Sequence, residues 1–403
     1  MGTLEFDHFP QEGPAERPYL PPNDLAQAQH ETPRVRIRLA DGTPAWLIIG
    51  HALAKKFLTD PRVSADMTRP GFPALGTIGL DSSVFKKAMI RRDGLDHRRL
   101  RRVLSGHFTP VEVDKHQPMV IEVIKTAVER LARHGPPADL VTDYARPIPT
   151  EVLCSLLALT AGMRSRLLVA TPVVFDPATT VEEKRAAFVE LETLVRELLD
   201  TTIALGGGTS PLVDSLLDGV SAGQLDREEL EAMLTHLVIA GHHTTGSSLG
   251  LTLRQTLESP ELRAAIMKSD ESAGLAVEEM LRYNSVTRGA PRRLVLERVE
   301  IDGLVFEQGD GVIVALHSAN HDPSIFANPD SLDPDRENVR QHITFGFGPH
   351  QCLGQALARR TVVLATRILL EALPGLRLAE PGRGPALVRD NSTVSLSELK
   401  VTW

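Results

Sequence analysis

Two short stretches of this sequence place chemically capable side chains where regular structure would not want them. The first is Phe345-Gly346-Phe347-Gly348-Pro349-His350-Gln351-Cys352-Leu353-Gly354-Gln355. Three glycines within nine residues suit a tight turn whose backbone closely approaches something else. Cys352 stands just before Leu353 to Leu373, an apolar-periodic run read as a helix. At a helix start, the dipole and nearby N–H groups lower a thiol's pKa and fit the thiolate to hold a metal. The second stretch is Gly241-His242-His243-Thr244-Thr245-Gly246. These are poor helix formers and polar groups at the centre of a run that otherwise reads as a long buried helix, and such a broken rule marks a site. His236, His242 and His243 have no acid or cysteine near them in sequence, and their spacing is poor for zinc.

The elements that must position these groups are mostly helices. Asp226 with Glu229 makes a capping-box opening and Ser259-Pro260 a stop, so the helix carrying the polar break runs about 32 residues, or about 48 Å. Leu234 to Leu253 has no Asp, Glu, Lys or Arg; its three His and its Thr, Ser and Gly make it a buried internal helix, not a membrane span. Further helices are expected over Pro110 to His134 and Val181 to Leu205. Arg34 to Ile49, with Asp41-Gly42 at its turn, reads as a hairpin, and Arg293 to Leu316 as a second strand-rich stretch. The fold class is therefore mainly α with a small β portion. No repeat or linker divides the chain, so residues 1–403 are expected to form one domain.

Composition narrows the function classes. With 44 Lys+Arg against 52 Asp+Glu the net charge is −8, which argues against nucleic-acid binding. Hydrophobic residues at 42% and charged residues at 24% describe an ordinary globular chain. Two cysteines, Cys154 and Cys352, exclude a disulfide framework or a multi-cysteine metal site and suit a reducing cytoplasm. The first 22 residues have no signal-peptide core, and Phe6 occupies the place where a myristoylation site wants Ser or Thr. The expected localisation is cytoplasmic, without membrane attachment.

The cysteine stretch resembles the haem-binding loop of the cytochrome P450 family: Phe, two residues, Gly, one residue, a basic residue, one residue, Cys, one residue, Gly. Three further segments match in the same order. Asp93-Gly94-Leu95-Asp96-His97-Arg98-Arg99-Leu100-Arg101 is similar to the segment in which His97 and Arg101, four apart on one helical face, neutralise haem propionates. Glu279-Met280-Leu281-Arg282 is similar to the family's Glu-x-x-Arg helix, with Arg336 as its structural partner, although Leu332 stands where the family commonly has Phe. Pro291-Arg292-Arg293-Leu294 follows, where register favours Arg293 as a propionate ligand. The resemblance covers essentially the whole chain. It implies the cytochrome P450 fold, with haem b between the long helix and the helix after the cysteine loop. Cys352 would be the iron ligand, and His350, Phe345, Gly346 and Gly354 further cofactor contacts.

In the same resemblance Ala240 and Gly241 leave room for O2, and Thr244 steadies it and its proton supply. The residue before that threonine is usually an acid; here it is His243, a possible proton shuttle of unperturbed pKa near 6.5. His243 relaying protons, water ordered by Thr244 doing so, and simple hydrogen bonding in the core all remain open readings. Phe72, Phe85, Met89, Leu237, Val286, Thr287, Gly289, Ala290 and Thr393 are the substrate-pocket candidates. The implied activity is insertion of one atom of O2 into a hydrophobic or amphipathic small molecule, free or carrier-tethered, in bacterial secondary metabolism. Ferredoxin and ferredoxin reductase would donate electrons to a monomer, the ferredoxin on a basic face of the arginines at 98, 99, 101, 102, 359 and 360. The rival readings are a peroxide user or nitric-oxide reductase, and a non-catalytic haem sensor or carrier.

Overall fold

The computed structural model describes residues 5–6, 13–14, 17–75, 85–176, 178–389 and 393–403, with Glu5, Phe85 and Arg389 described by their backbone alone. Its axis is the helix Arg227–Glu258, 32 residues long. The start is fixed by reciprocal capping: Asp226 Oδ1 accepts from the Glu229 N–H at 2.7 Å, and Glu229 Oε2 accepts from the Asp226 N–H at 2.9 Å. Ser259 ends this helix and caps the next, Pro260–Lys268. The central helix is sheathed by Pro147–Leu156, Val181–Ala204, Asp270–Asn284 and Gln355–Ala372.

The sheathing forms two large apolar cores. Leu249, Leu251 and Leu253 of the central helix join one, together with Ile124, Val277, Met280 and Leu369. Leu230, Met233, Leu234 and Val238 join the other, with Leu100, Leu167, Leu191 and Leu216. Residues 240–248, the polar break, belong to neither core. The helix thus leaves one core and enters the next across a seam, and its rule-breaking residues lie in that seam. Gly246 is needed there, because a Cβ would sit 3.1 Å from the Ala145 carbonyl oxygen and 3.3 Å from Arg146 Cα.

The main sheet has six strands in the order Glu5–Phe6, Arg34–Arg38, Pro44–Ile48, Gly311–Val314, Arg292–Val295 and Val63–Ser64. The expected hairpin pairs antiparallel, from Arg34 opposite Ile48 to Arg38 opposite Pro44. Two expected boundaries differ. The helix expected over Pro110 to His134 is two, Pro110–Lys115 and Gln117–His134. Pro118 in the first turn of the second has no N–H to return and would clash with a continuing helix. The helix after Cys352 starts at Gln355, not Leu353. The Cys352 N–H is instead given back to the Phe345 carbonyl at 2.8 Å, which closes the loop.

Candidate active site

A cavity of about 320 Å³ lies between the two cores. The central helix supplies one wall through His236, Ala240, Thr244 and Ser248, four apart along one face, with Leu237, Gly241 and Thr245 beside them. Ala240 and Gly241 are exposed although they lie mid-helix inside the protein, because what they face is the cavity. A Cβ at Gly241 would meet nothing within 4 Å. A second wall is the cysteine loop, through Phe345, Gly346 and His350 to Gly354, continued by Leu357, Ala358, Thr361 and Val362. Cys352 is deep in the protein yet accessible, since the surface it presents is cavity wall.

Two glycines make the cysteine loop possible. Gly346 and Gly348 have φ of +73° and +75°, and a Cβ at Gly348 would lie 2.9 Å from the Leu58 carbonyl oxygen. Burial pushes the Cys352 thiol up, against the pull of the Gly354 N–H and of the Arg101 and Arg359 guanidiniums. The expected lowering therefore does not hold for the polypeptide itself: the helix begins three residues on, and apolar surroundings outweigh the donors.

Beside the loop, the helix Gly94–Ser105 delivers His97 and Arg101 to the same cavity. The His97 and His350 rings lie against each other, tilted by 34° with centroids 4.0 Å apart, and His350 Nε2 lies 3.8 Å from Asp93 Oδ1. Burial, then the neighbouring His350 and Arg101, push His97 down to about 4. Arg101 donates to the Gln351 carbonyl at 2.7 Å and Arg293 to the Arg292 carbonyl at 2.7 Å. Burial lowers both guanidiniums, Arg293 to about 10, against the pull of Asp93. Arg293 is not part of the cavity wall, though its charge bears on His97 and His350. Arg292, on the other face of its strand, reaches the Pro73 carbonyl and the Phe72 ring. The cluster thus gathers four basic side chains around one acid, Asp93, which Ser64, the Ala65 N–H and His350 hold at about 2 against the upward push of burial.

Below the loop, Glu279 is fully buried. Its carboxylate accepts from Arg282 Nε and Nη2, both at 2.8 Å, from Arg336 Nε at 3.1 Å and from the Asp333 N–H at 3.0 Å. The remaining guanidinium donors reach carbonyls of Asn320, Pro329 and Ser331 from Arg282, and of Ala327, Asn328 and Ser331 from Arg336. This ties the helix Asp270–Asn284 to the segment that leads into the cysteine loop.

Against known proteins, the cytochrome P450 family model matches residues 274–373. Cytochrome P450-SOY of Streptomyces griseus is 35% identical over 96% of this chain and 93% of its own. The chain belongs to the cytochrome P450 family. Pentalenic acid synthase of Streptomyces avermitilis is 34% identical over 98% of this chain and 97% of its own. The crystal structure of GfsF superposes with a TM-score of 0.91 at 30% identity, covering 99% of this chain and 100% of that one. MycCI, the mycinamicin VIII C21 methyl hydroxylase of Micromonospora griseorubida, gives 0.90 at 29% identity, covering 99% and 100%. This cytochrome P450 is accordingly a monooxygenase of a family whose members bind haem.

The site suits that group. A thiol opens onto a largely apolar cavity, and His97, Arg101 and His350 offer more donors than Asp93 can use. The haem carboxylates would supply the missing counter-charge.

Several site candidates lie elsewhere than the sequence suggests. His243 does not line the cavity: its ring stacks on Phe175, with centroids 4.1 Å and planes 2° apart, and its Nε2 lies 3.1 Å from Thr393 Oγ1. The helical step of about 100° from Thr244 turns it off the cavity face. His242 bonds the Val238 carbonyl, so the three histidines do not converge on a metal. Of the pocket candidates, Met89, Leu237, Val286, Thr287 and Ala290 line the cavity, while Phe72, Gly289 and Thr393 do not. Phe72 sits with Arg292, and Thr393 pairs with Thr287 across a β-bridge and with His243. The side chain of Phe85 lies outside the described residues.

The expected basic face is largely consumed internally. Arg99 pairs with Glu229, Arg359 with Glu278 and Arg360 with Asp114, while Arg98 and Arg102 are exposed. Ile90, Phe108, Leu153, Leu156, Leu212 and His236 are among the lining residues not foreseen as pocket residues, although the four-residue spacing of His236 from Ala240 was a usable signal.

Proposed function

We propose that this cytochrome P450 inserts one atom of O2 into a C–H or C=C bond of a hydrophobic or amphipathic small molecule in bacterial secondary metabolism. The observation that carries this is one cavity whose walls include both Cys352 and the Ala240–Gly241–Thr244 face of the central helix. When bound, haem with a thiolate donor supplies reductive activation of O2 and cleavage of its O–O bond. Cys352 would hold the iron, and His97, Arg101 and His350 the two carboxylates, with the Arg293 charge behind them. Glu279, Arg282 and Arg336 keep the loop in place.

The small residues Ala240 and Gly241 leave space beside the helix for O2. Thr244 donates its hydroxyl to the Ala240 carbonyl at 2.9 Å, which keeps the oxygen lone pairs available to accept. It can pass a proton by turning its hydroxyl away from that carbonyl. Because His243 is turned to Phe175 and Thr393, protons reach the cavity through Thr244 and the water it orders.

Its electrons would come from ferredoxin and ferredoxin reductase, met through the exposed Arg98 and Arg102. No helix among the described residues is long and apolar enough to cross a membrane, and we place the enzyme in the cytoplasm as a monomer. Relatives are named for pentalenic acid and mycinamicin, which supports a tailoring role on a natural product.

The test is to titrate the purified ferric protein with macrolides, terpenes, steroids, fatty acids and carrier-bound amino acids, following the low- to high-spin change. Active compounds are then incubated with a surrogate ferredoxin chain. Oxygenated product with consumption of NADPH supports the proposal. Product formed only with peroxide and without the redox chain, or haem binding without turnover of any compound, overturns it.

A further inference from the structure

His243 is turned away from the cavity, yet what it holds leads to cavity wall. Its Nε2 lies 3.1 Å from Thr393 Oγ1 while its ring stacks on Phe175. Thr393 is buried and directly precedes the strand Val394–Leu396, which pairs with Leu387–Arg389 in a two-stranded hairpin. The far end of that strand is secured by other means: Leu396 lies in the apolar core with Leu249 and Leu253, and its carbonyl accepts from Arg146 Nη2 at 3.2 Å. The near end reaches the stretch between the helix Asp270–Asn284 and the strand Arg292–Val295. There Thr393 faces Thr287 in an isolated antiparallel bridge, and the Val394 N–H donates to the Val286 carbonyl at 2.9 Å. A bond between the flanking residues makes Thr287 and Thr393 a non-hydrogen-bonded pair, the kind whose side chains come closest. Val286, Thr287, Ala290 and Pro291 line the cavity. Residues 286–291 form no helix or strand of their own, so their position is set by what they are tied to.

We infer that His243 is a positioning residue for the substrate chamber: braced on Phe175, it holds Thr393 and, through the bridge to Thr287, fixes the wall formed by residues 286–291. This rests on the proposed function, which makes the cavity the place where substrate binds, and it gives the histidine a task other than proton relay. Residue 243 adjoins Thr244 on the central helix, about 100° round from the cavity face. One turn of that helix thereby carries the oxygen-facing threonine and, on its flank, the tie that sets the opposite lining. The tie acts on shape: an imidazole and a hydroxyl that lose each other inside the protein leave a polar group unmatched, which costs more than the bond itself contributes.

The test uses the haem-loaded protein and three variants. His243→Phe keeps a ring for Phe175 but loses the bond, Thr393→Val keeps the shape of Thr393 without its hydroxyl, and His243→Gln keeps a donor and an acceptor at similar reach. Amide hydrogen exchange is followed by mass spectrometry. His243→Phe and Thr393→Val should speed exchange of residues 286–290 and 393–396 about fivefold, the equivalent of one net hydrogen bond. The helix Asp270–Asn284 should be unchanged, and His243→Gln should stay near wild type. The same proteins are titrated with imidazole, which needs only the haem iron, and with 4-phenylimidazole and 1-benzylimidazole, which also press an aryl ring on the wall. His243→Phe and Thr393→Val should weaken at least one aryl ligand about fivefold relative to imidazole, because that ligand must now order the wall. His243→Gln should restore it. Unchanged exchange at 286–290, a rise of equal size throughout the chain, an aryl preference that neither variant weakens, or no rescue by His243→Gln overturns the inference. The thiolate signature of the reduced carbon monoxide adduct is recorded on each sample. A wild type that lacks it fails the functional reading, whereas a wild type that has it but whose variants behave alike fails this inference alone.

Discussion

Replacing Glu279 is the severest single test of the physical account. The carboxylate is fully buried and is the anion shared by two buried guanidiniums, Arg282 and Arg336. Removing it leaves two cations inside the protein with carbonyl partners but no counter-charge. Breaking a buried pair in this way costs about 3–5 kcal/mol, and the second orphaned cation puts this case at the upper end. At an unfolding entropy of roughly 2.1 cal/mol/K per residue, this 403-residue chain should lose about 4–6 °C of Tm. Glu279→Gln should cost nearly as much as Glu279→Ala, because its amide turns a donor toward donors. Adding Arg336→Met to Glu279→Gln should recover part of the loss by removing one unpaired charge. Thermal unfolding followed by circular dichroism measures all three. A Tm within 1 °C of wild type for both single variants would refute the argument that this network holds the loop through charge.

Three further outcomes are expected. Gly246→Val should destabilise by about 3 kcal/mol, the upper range for overpacking, because the obstacle is the backbone of Ala145 and Arg146; an unchanged urea midpoint would contradict the close crossing. His243→Ala and Phe175→Ala should each cost about 1–3 kcal/mol and couple by about 1 kcal/mol in a double-mutant cycle, and His243→Asp should leave product formed per electron unchanged. A clear rise in that ratio for His243→Asp would show that residue 243 does reach the proton route. Glu278 is held at about 2, since His342 at 2.7 Å and Arg359 at 2.5 Å overcome the upward push of burial. Its folded pKa is depressed from 4.5, so its stabilisation, about 3 kcal/mol, is complete above pH 4.5 and is lost as pH falls from there toward 2. Glu278→Gln should flatten the acid limb of the stability–pH curve in that window, and an unaltered limb would exclude the assignment.

Local pattern carried a large part of the site in the sequence. Cys352 and its glycines, the capping residues Asp226 and Glu229, and the Glu279–Arg282 spacing are each written within a dozen residues, so short-range rules reach them. Arg336, 57 residues from Glu279, was reached only through a family likeness. Loops escaped the reading: nothing in the spacing of Phe72, Gly289 or Thr393 says which way they turn, and Thr393 meets His243 across 150 residues. His243 itself was decipherable. The repeat of four through His236, Ala240, Thr244 and Ser248 defines the cavity face and leaves residue 243 off it, so the likeness to an acid-bearing motif drew attention away from the geometry.

The seam in the central helix has an evolutionary consequence. Residues 240–248 stand outside both apolar cores; within them Ala240 and Gly241 face the cavity, so substitutions at these two reshape the chamber while each core keeps its own packing, whereas Gly246 is fixed by the backbone it crosses. Stability and substrate choice are thereby written on different letters of one helix. A lineage can exchange the second at Ala240 and Gly241 without risking the first.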